Sequence, residues 1–213
     1  MPKDLNGKTV IITGAGKGIG RATSLMLSEL GASVVAISRT AADLKTLQDE
    51  TGCETHTLDI SNSAELRSVM RGVTSADGLV NCAGINILEP FLEVSEESFD
   101  QIYAVNTKAA MVAAQEFSKT VIAERRNGSI VNVSSMSAFV GFADHTSYCA
   151  SKGAMDAMSR VMANELGQYG IRVNCINPIV TMTELAAEAW SDPVKSGPIL
   201  SRIPVGHFAE VDD

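Results

Sequence analysis

Tyr148 and Lys152 are the residues whose types and spacing most clearly suggest chemistry. Positions four apart on a helix share one face, so an ammonium group would lie beside a phenol. A phenol with a pKa of about 10 donates its proton poorly at neutral pH, and lowering that pKa by about 3 units requires roughly 4 kcal/mol. A unit positive charge about 4 Å away supplies this at an effective dielectric of about 20. The pair therefore predicts a general acid activated by its lysine, with burial opposing the activation.

A glycine-rich segment, T-G-A-G-K-G-I-G over residues 13–20, follows the first apolar run and precedes a helical pattern. Glycine allows positive φ and close backbone approach, so exposed N–H groups at a helix start can bind a pyrophosphate. The segment departs from the strict G-x-G-x-x-G pattern because Ile19 stands where the last glycine would be. Its position in the first strand–helix unit favours a dinucleotide site over a glycine-rich turn without a ligand.

The end of the second predicted strand indicates which nicotinamide cofactor fits. A carboxylate there would accept a hydrogen bond from the ribose 2′-hydroxyl, whereas this strand ends in I-S-R-T at 37–40 with no acid. Arg39 offers a planar pair of donors to a phosphate, Thr40 adds a hydroxyl and Lys17 adds a second cation. The alternative is that Arg39 is an ordinary surface cation. We interpret the pattern as a preference for NADPH over NADH.

Short β-branched runs alternate with helical patterns along the whole chain. This alternation predicts a single α/β domain over residues 1–213, a Rossmann-type doubly wound parallel sheet with helices on both faces. Residues 184–206 interrupt the rhythm with three prolines and Trp190, which indicates a loop region or substrate lid. The predicted strands are Thr9–Thr13, Ser33–Ser38, Thr55–Leu58, Gly78–Cys82, Ser129–Ser134 and Arg172–Ile176.

Composition excludes several classes of function. The net charge of −8 over 213 residues argues against binding to nucleic acid or to acidic membranes. The four cysteines form no pair with zinc-ligand spacing, so no metal site is expected. The sequence has no apolar run long enough for a membrane span and no signal peptide pattern, which favours a cytoplasmic protein.

Taken together, the motifs resemble the short-chain dehydrogenase/reductase family. The glycine loop is followed by N-C-A-G at 81–84, by Asn106 in A-V-N, by Ser135 after a strand, by the tyrosine–lysine pair and by N-P at 177–178, in that family's order. Within the family the chain is most similar to the L-xylulose/dicarbonyl reductase group. The segments that carry this narrower similarity are V-V-A-I-S-R-T at 34–40, P-F-L-E-V at 90–94, W-S-D-P at 190–193 and R-I-P-V-G at 202–206.

The resemblance implies a role for each matching residue. Ser135 would hydrogen-bond the substrate carbonyl, Tyr148 would donate its proton to the developing alkoxide, and Lys152 would contact the nicotinamide ribose and lower the tyrosine pKa. Asn106 would hold a water that connects Lys152 to solvent. The expected cofactor contacts are Gly14, Gly16, Lys17, Gly18, Ile19, Gly20, Arg39, Thr40, Asp59, Asn81, Ala83, Gly84, Tyr148, Lys152, Thr181 and Thr183.

The substrate implied by the resemblance is a small dicarbonyl or a ketose such as L-xylulose. His145 and Trp190, with Phe139 and Phe142, flank the proposed centre in sequence and suit a small, partly polar carbonyl compound. His145 is equally well explained as a packed or capping residue before the helix. A 3-oxoacyl reductase, another short-chain alcohol dehydrogenase, and a catalytically impaired cofactor-binding protein remain as alternatives.

The sequence also departs from the family pattern. Cys82 and Ile179 replace a usual asparagine and a usual glycine. The sequence ends at V-D-D, residues 211–213, where the family continues into a further helix and strand. We therefore expect that helix and strand to be missing and one sheet edge to be exposed. The family implies a homo-oligomer, commonly a tetramer, for which the final strand contributes to subunit packing.

Overall fold

One parallel sheet organises the protein, for which the computed structural model describes residues 4–183, 186, 190 and 192–213. The strand order is β3-β2-β1-β4-β5-β6, and every neighbouring pair is parallel. The sequence predictions are confirmed, because each predicted strand end lies within about one residue of the observed end. The strands are β1 Thr9–Thr13, β2 Ser33–Ser38, β3 Glu54–Thr57, β4 Gly78–Asn81, β5 Gly128–Val133 and β6 Ile171–Ile176.

Helices connect successive strands as the alternating pattern predicts. The connecting helices are α1 Gly18–Glu29, α2 Ala41–Thr51, α3 Ser63–Gly72, α4 Glu96–Tyr103, α5 Ala109–Ala123 and α6 Thr146–Leu166, and a further helix, α7 Pro193–Leu200, follows β6. A π-helical turn, Ala104–Lys108, joins α4 to α5. The chain winds outward in both directions from β1, whose neighbours are β2 and β4. Open sheets of this topology bind ligands at the carboxyl ends of the strands beside that switch point.

Helices cover both faces of the sheet because the strands are apolar on both sides. Ile11 points into a core that includes Leu66 of α3 and Phe117 of α5. The next residue, Ile12, points into the opposite core with Leu44 and Leu47 of α2. Successive strand residues face opposite sides, so a continuous apolar run requires cover on both. The doubly wound parallel sheet is therefore confirmed.

The predicted lid over residues 184–206 lies partly outside the described residues, at 184, 185, 187–189 and 191. Its described part contains helix α7 rather than loop alone. Pro193 occupies the first helical turn, where backbone N–H groups have no partner within the helix, so the missing N–H of proline costs no hydrogen bond. Asp192 caps this helix, because its Oδ1 accepts from Val194 N at 2.9 Å. Of the three prolines that indicated a loop, Pro193 therefore begins a helix and Pro198 lies inside it.

Candidate active site

A cleft of about 720 Å³ runs along the carboxyl edge of the sheet. The glycine loop after β1 and Arg39 after β2 line one end of this cleft. Ser135 after β5 and the Tyr148–Lys152 pair of α6 line the other end. The topology thus brings together groups that are far apart in sequence.

The glycine loop turns tightly because two of its members lack a side chain. Gly14 has φ of 71°, and a Cβ built there would lie 2.7 Å from Cα of Ala83. A Cβ built on Gly20 would lie 2.2 Å from the carbonyl oxygen of Gly14. Real side chains do not approach backbone so closely, so these glycines let the start of α1 pack against the turn after β4. Exposed N–H groups at that helix start suit a phosphate.

The Arg39 end of the cleft combines two cations, Arg39 and Lys17, with two carboxylates, Asp43 and Asp59. Arg39 is exposed, and none of the described carboxylates forms a salt bridge with it. The Nζ of Lys17 lies 3.6 Å from Oδ2 of Asp43. Hydrogen bonds from Ser61 lower the pKa of Asp59, and the Arg39 charge adds to this effect. The end of β2 therefore presents a cation where an NADH-specific site would present an acid.

Lys152 is anchored to the sheet. Its Nζ donates to the carbonyl oxygen of Val133, the last residue of β5, at 2.8 Å. The same nitrogen lies 5.6 Å from the centroid of the Tyr148 ring. Burial lowers the pKa of Lys152 to about 8, because a cation is disfavoured away from water. The predicted pairing on one helix face is therefore present, with the lysine head fixed by main chain.

The pKa of Tyr148 departs from the expectation drawn from sequence. Burial raises it above 10.0, and a hydrogen bond with Ser135 acts in the opposite direction. Desolvation of the phenolate is the largest cause, which corrects the prediction that Lys152 sets a lowered value. Tyr148 therefore holds its proton at neutral pH, the form that a proton donor needs before it acts.

Two hydrogen bonds fix Ser135, one to its hydroxyl and one to its carbonyl oxygen. Its Oγ accepts from the N–H of Ser137 at 3.1 Å, and its carbonyl oxygen accepts from Nδ2 of Asn177 at 3.1 Å. Ser135 thereby begins the short 3-10 turn Met136–Ala138 directly after β5. The hydroxyl lies on the cleft wall with Tyr148. Two hydroxyl groups thus face the same part of the cleft.

Asn106 lies in the π-helical turn between α4 and α5 and is fully buried. Its Oδ1 accepts from Ile85 N at 2.8 Å, and its Nδ2 donates to Ile85 O and to Ser151 Oγ, each at 3.0 Å. The side chain braces the turn after β4 against α6. Interruptions of this kind in helices often occur at functional sites. Its predicted contact with a water stays a prediction.

Aromatic side chains and an imidazole border the serine and tyrosine. The His145 ring packs edge-on against Tyr148, with centroids 6.2 Å apart, and lies 5.9 Å from Phe142. Trp190 lines the same cleft and packs against Phe208. Phe139 is exposed and does not line it. The structure thus brings three of the four predicted substrate-side residues together.

Most predicted cofactor contacts line the cleft. The exceptions are Gly16, Gly18 and Asn81. A Cβ built on Gly16 would lie 2.8 Å from Oγ of Ser38, and one built on Gly18 would lie 3.1 Å from Cγ2 of Thr183. The Asn81 side chain is buried and donates to Asn132 Oδ1 at 2.8 Å, so it braces the sheet. Contacts of these three residues with the cofactor stay predictions. Besides Tyr148 and Lys152, the predicted cofactor contacts that line the cleft are Gly14, Lys17, Ile19, Gly20, Arg39, Thr40, Asp59, Ala83, Gly84, Thr181 and Thr183.

Sequence reasoning missed Asn86 and Ile199, which also line the cleft. Asn86 follows β4, so the rule that ligands bind at the carboxyl ends of parallel strands would have found it. Ile199 lies on α7, the helix that the prolines concealed.

Among the described residues, no helix has both the length and the apolar character needed to cross a bilayer. No three of their histidine, cysteine or acidic side chains are grouped closely enough to hold a metal ion.

Comparisons with known proteins agree with this architecture. L-xylulose reductase of Mesocricetus auratus is 45% identical over 214 residues, spanning 100% of this chain and 88% of that enzyme. D-erythrulose reductase of Gallus gallus is 44% identical over 216 residues, with the same two coverages. A crystal structure of a putative NAD(P)-dependent gluconate 5-dehydrogenase from Beutenbergia cavernae with bound NADP is 32% identical, covers 100% of this chain and 88% of its own, and has a TM-score of 0.93. The model of the short chain dehydrogenase family matches residues 8–194, and this chain belongs to that family.

Proposed function

We propose that this protein is an NADPH-dependent carbonyl reductase that reduces small dicarbonyls and ketoses, with Tyr148 as the general acid. The observation that carries the proposal is the convergence of Ser135, Tyr148 and Lys152 at one end of a cleft whose other end is a glycine loop. The similarity to L-xylulose and D-erythrulose reductases supports the substrate class. A single site then accounts for both the cofactor and the carbonyl compound.

The residues of the cleft fit a nicotinamide dinucleotide. The tight turn at Gly14 exposes N–H groups at the start of α1, and the cleft volume of about 720 Å³ falls in the range of ligand sites. Arg39, Thr40 and Lys17 would hold a 2′-phosphate, which favours NADPH. The NADP bound by the Beutenbergia cavernae enzyme supports this choice. When bound, the cofactor supplies the hydride.

The chain's own residues manage the charge that develops on the substrate oxygen. The Ser135 hydroxyl orients the carbonyl, and the Tyr148 phenol delivers a proton to the oxygen as negative charge grows there. The Lys152 cation then stabilises the phenolate that remains until solvent returns a proton. Donors fixed in a partly buried site favour the transition state over the ground state, because the charge exists only there.

The substrate end suits a small molecule with both polar and apolar parts. Phe142 and Trp190 offer apolar surface, while His145 offers a polar ring atom. His145 Nδ1 lies 2.5 Å from the carbonyl oxygen of Ala143, which fixes the ring orientation and leaves Nε2 for a ligand. We infer that His145 contacts substrate hydroxyl or carbonyl groups. This placement fits a ketose better than a long acyl chain.

The test is turnover of purified protein with NADPH and a panel of diacetyl, L-xylulose and an acyl thioester, followed by loss of nicotinamide absorbance. We expect oxidation of NADPH with the first two compounds and its loss in a Ser135→Ala variant. Cofactor binding without oxidation, in a folded sample, would instead indicate a binding protein. Faster turnover of the thioester would indicate a 3-oxoacyl reductase.

We further propose a cytoplasmic homo-oligomer. All four cysteines are free, which supports a reducing compartment. The outer faces of α5 and α6 form a groove of about 650 Å³ in which Met111 and Val161 are exposed, and a second subunit would cover such a surface. Light scattering on the purified chain measures the assembly. A monomer at all concentrations would contradict this part of the proposal.

A further inference from the structure

Asp156 is a buried acidic residue for which the proposed mechanism has no role. It follows Lys152 by four positions on α6, so the two side chains lie on the same helix face, one turn apart. Only 6% of Asp156 and 3% of Lys152 is exposed to solvent. An acid excluded from water needs a cation or hydrogen-bond donors to offset its lost hydration.

Hydrogen bonds satisfy only one of the two oxygens of Asp156. Oδ2 accepts from Nδ2 of Asn177 at 2.9 Å, and the same nitrogen donates to the carbonyl oxygen of Ser135 at 3.1 Å. Oδ1 is buried and has no partner among the residues that the structure describes. The amide N–H of Asn177 supplies the donor that this buried oxygen requires. Asn177 therefore ties the Asp156 side chain to the backbone of the proposed catalytic serine.

Lys152 needs a negative charge nearby if it is to remain an ammonium group. Burial lowers the pKa of Lys152 to about 8. The groups that act in the opposite direction are Cys82, Cys175 and Asp156. Burial raises the pKa of Cys82 to about 11 and raises that of Cys175 as well, so both thiols are neutral near pH 7. Tyr148, which also faces the lysine, is a neutral phenol there for the same reason.

We propose that Asp156 is a positioning residue that keeps Lys152 in its charged form, with Asn177 holding the carboxylate in place. This inference deepens the proposed function and rests on it wherever turnover is measured. Asp156 does not line the cleft, so the proposal assigns it no contact with substrate or cofactor. It acts only through the lysine, from one turn further along the same helix.

The direction of the expected effect follows from the charge of each group. A lysine is charged below its pKa, and a neighbouring negative charge raises that pKa. Removing the charge of Asp156 therefore lowers the pKa of Lys152, and the ammonium loses its proton at lower pH. Carbonyl reduction, which uses the charged form, then declines at lower pH as alkali is added.

The direct test is an NMR titration of protein labelled at lysine Cε, with the Lys152 resonance assigned by its loss in Lys152→Met. In Asp156→Asn we expect the titration midpoint of Lys152 to fall by about one pH unit. A midpoint within error of the parent value overturns the proposal. This measurement needs no cofactor and no turnover.

The kinetic test compares the pH profiles of NADPH-dependent reduction. If the midpoint falls by about one unit from a value of about 8, activity falls about fivefold at pH 8 and hardly changes at pH 6. A purely structural role for Asp156 would lower activity by the same factor at every pH and leave the profile unshifted. A uniform loss of that kind overturns the proposal.

Two variants serve as controls. Glu29→Gln removes one negative charge from an exposed position on α1 that does not line the cleft, and we expect no shift in either measurement. Asp156→Glu keeps the charge and should restore the parent midpoint. If Asp156→Asn does not fold, Asp156→Ser removes the same charge from the same position and is titrated instead.

The outcomes separate this inference from the function on which it rests. A shifted lysine midpoint in a protein that reduces none of the compounds tested supports the charge coupling and contradicts the reductase function. An unshifted midpoint in an active reductase contradicts the coupling and leaves the function standing.

Discussion

The ammonium of Lys152 donates a 2.8 Å hydrogen bond to the carbonyl oxygen of Val133, the residue that ends β5. Main chain, rather than the tyrosine hydroxyl, therefore fixes the position of the cation. The sheet edge places this cation 5.6 Å from the centre of the Tyr148 ring. In the proposed mechanism, the Lys152 charge stabilises the Tyr148 phenolate from this fixed position, without any movement of α6 relative to β5.

Replacing Arg39 by aspartate should erode or reverse the preference for NADPH. The variant removes a charge-assisted bond worth roughly 1.5–3 kcal/mol and adds an acid that repels a phosphate, so the preference should change by about tenfold or more. The measurement is kcat/KM with NADPH and with NADH. Arg160→Asp, the same change at an exposed site on α6 that does not line the cleft, should leave the ratio unchanged. A parent enzyme that prefers NADH would end the argument for Arg39.

Gly14→Ala should destabilise the protein more than Gly52→Ala, although both glycines have φ of 71°. The left-handed conformation alone accounts for roughly 1–2 kcal/mol at each position. A Cβ at residue 14 would also lie 2.7 Å from Cα of Ala83, whereas the space around residue 52 is open. We expect roughly 2–5 kcal/mol for Gly14→Ala in urea unfolding. Equal losses of unfolding free energy in the two variants would show that the turn after β4 moves aside at little cost to make room for the Cβ.

Glu116 should stabilise the fold at neutral pH and lose this effect in acid. Arg71 is the largest of several partners that lower the pKa of Glu116 from 4.5 to about 2. A carboxyl group with a lowered folded-state pKa contributes fully above its unfolded value and loses that contribution as pH falls through the folded value. Its stabilisation should therefore disappear between pH 4.5 and about pH 2.

The matching experiment is denaturant unfolding of Glu116→Gln across that pH range. At pH 7 we expect a loss of about 1–2 kcal/mol, which is less than the full shift implies because Arg71 is largely exposed. The difference from the parent should shrink as the pH is lowered. Glu29→Gln, a change at an exposed acid on α1, should show no such trend. A difference that stays constant with pH would assign the effect to packing.

The sequence predicted the fold and the clustering of Tyr148 with Lys152 because both depend on local patterns, whereas the roles of these residues stay predictions. Continuous apolar strands and the four-residue spacing of Tyr148 and Lys152 leave few alternatives for the sheet and for a shared helix face. The direction of the Tyr148 pKa depends on how deeply tertiary contacts bury the ring, and spacing carries no information about burial.

Side-chain direction and helix starts account for the other differences. Asn81 ends β4, and the sequence does not show which way its side chain points. A hydrogen bond to Asn132 on the neighbouring strand buries that side chain. Pro193 reads as a loop residue until Asp192 is recognised as the cap before it. The direction of Asn81 depends on a partner on another strand, whereas the start of α7 depends on the residue next to Pro193.

The most direct test of the central claim is the turnover of Tyr148→Phe with NADPH and diacetyl. This change removes one hydroxyl group and leaves the ring, so circular dichroism and NADPH affinity should match the parent. Loss of the general acid should lower kcat by about 10²–10⁴-fold. Turnover at the parent rate by a folded Tyr148→Phe protein would contradict the account.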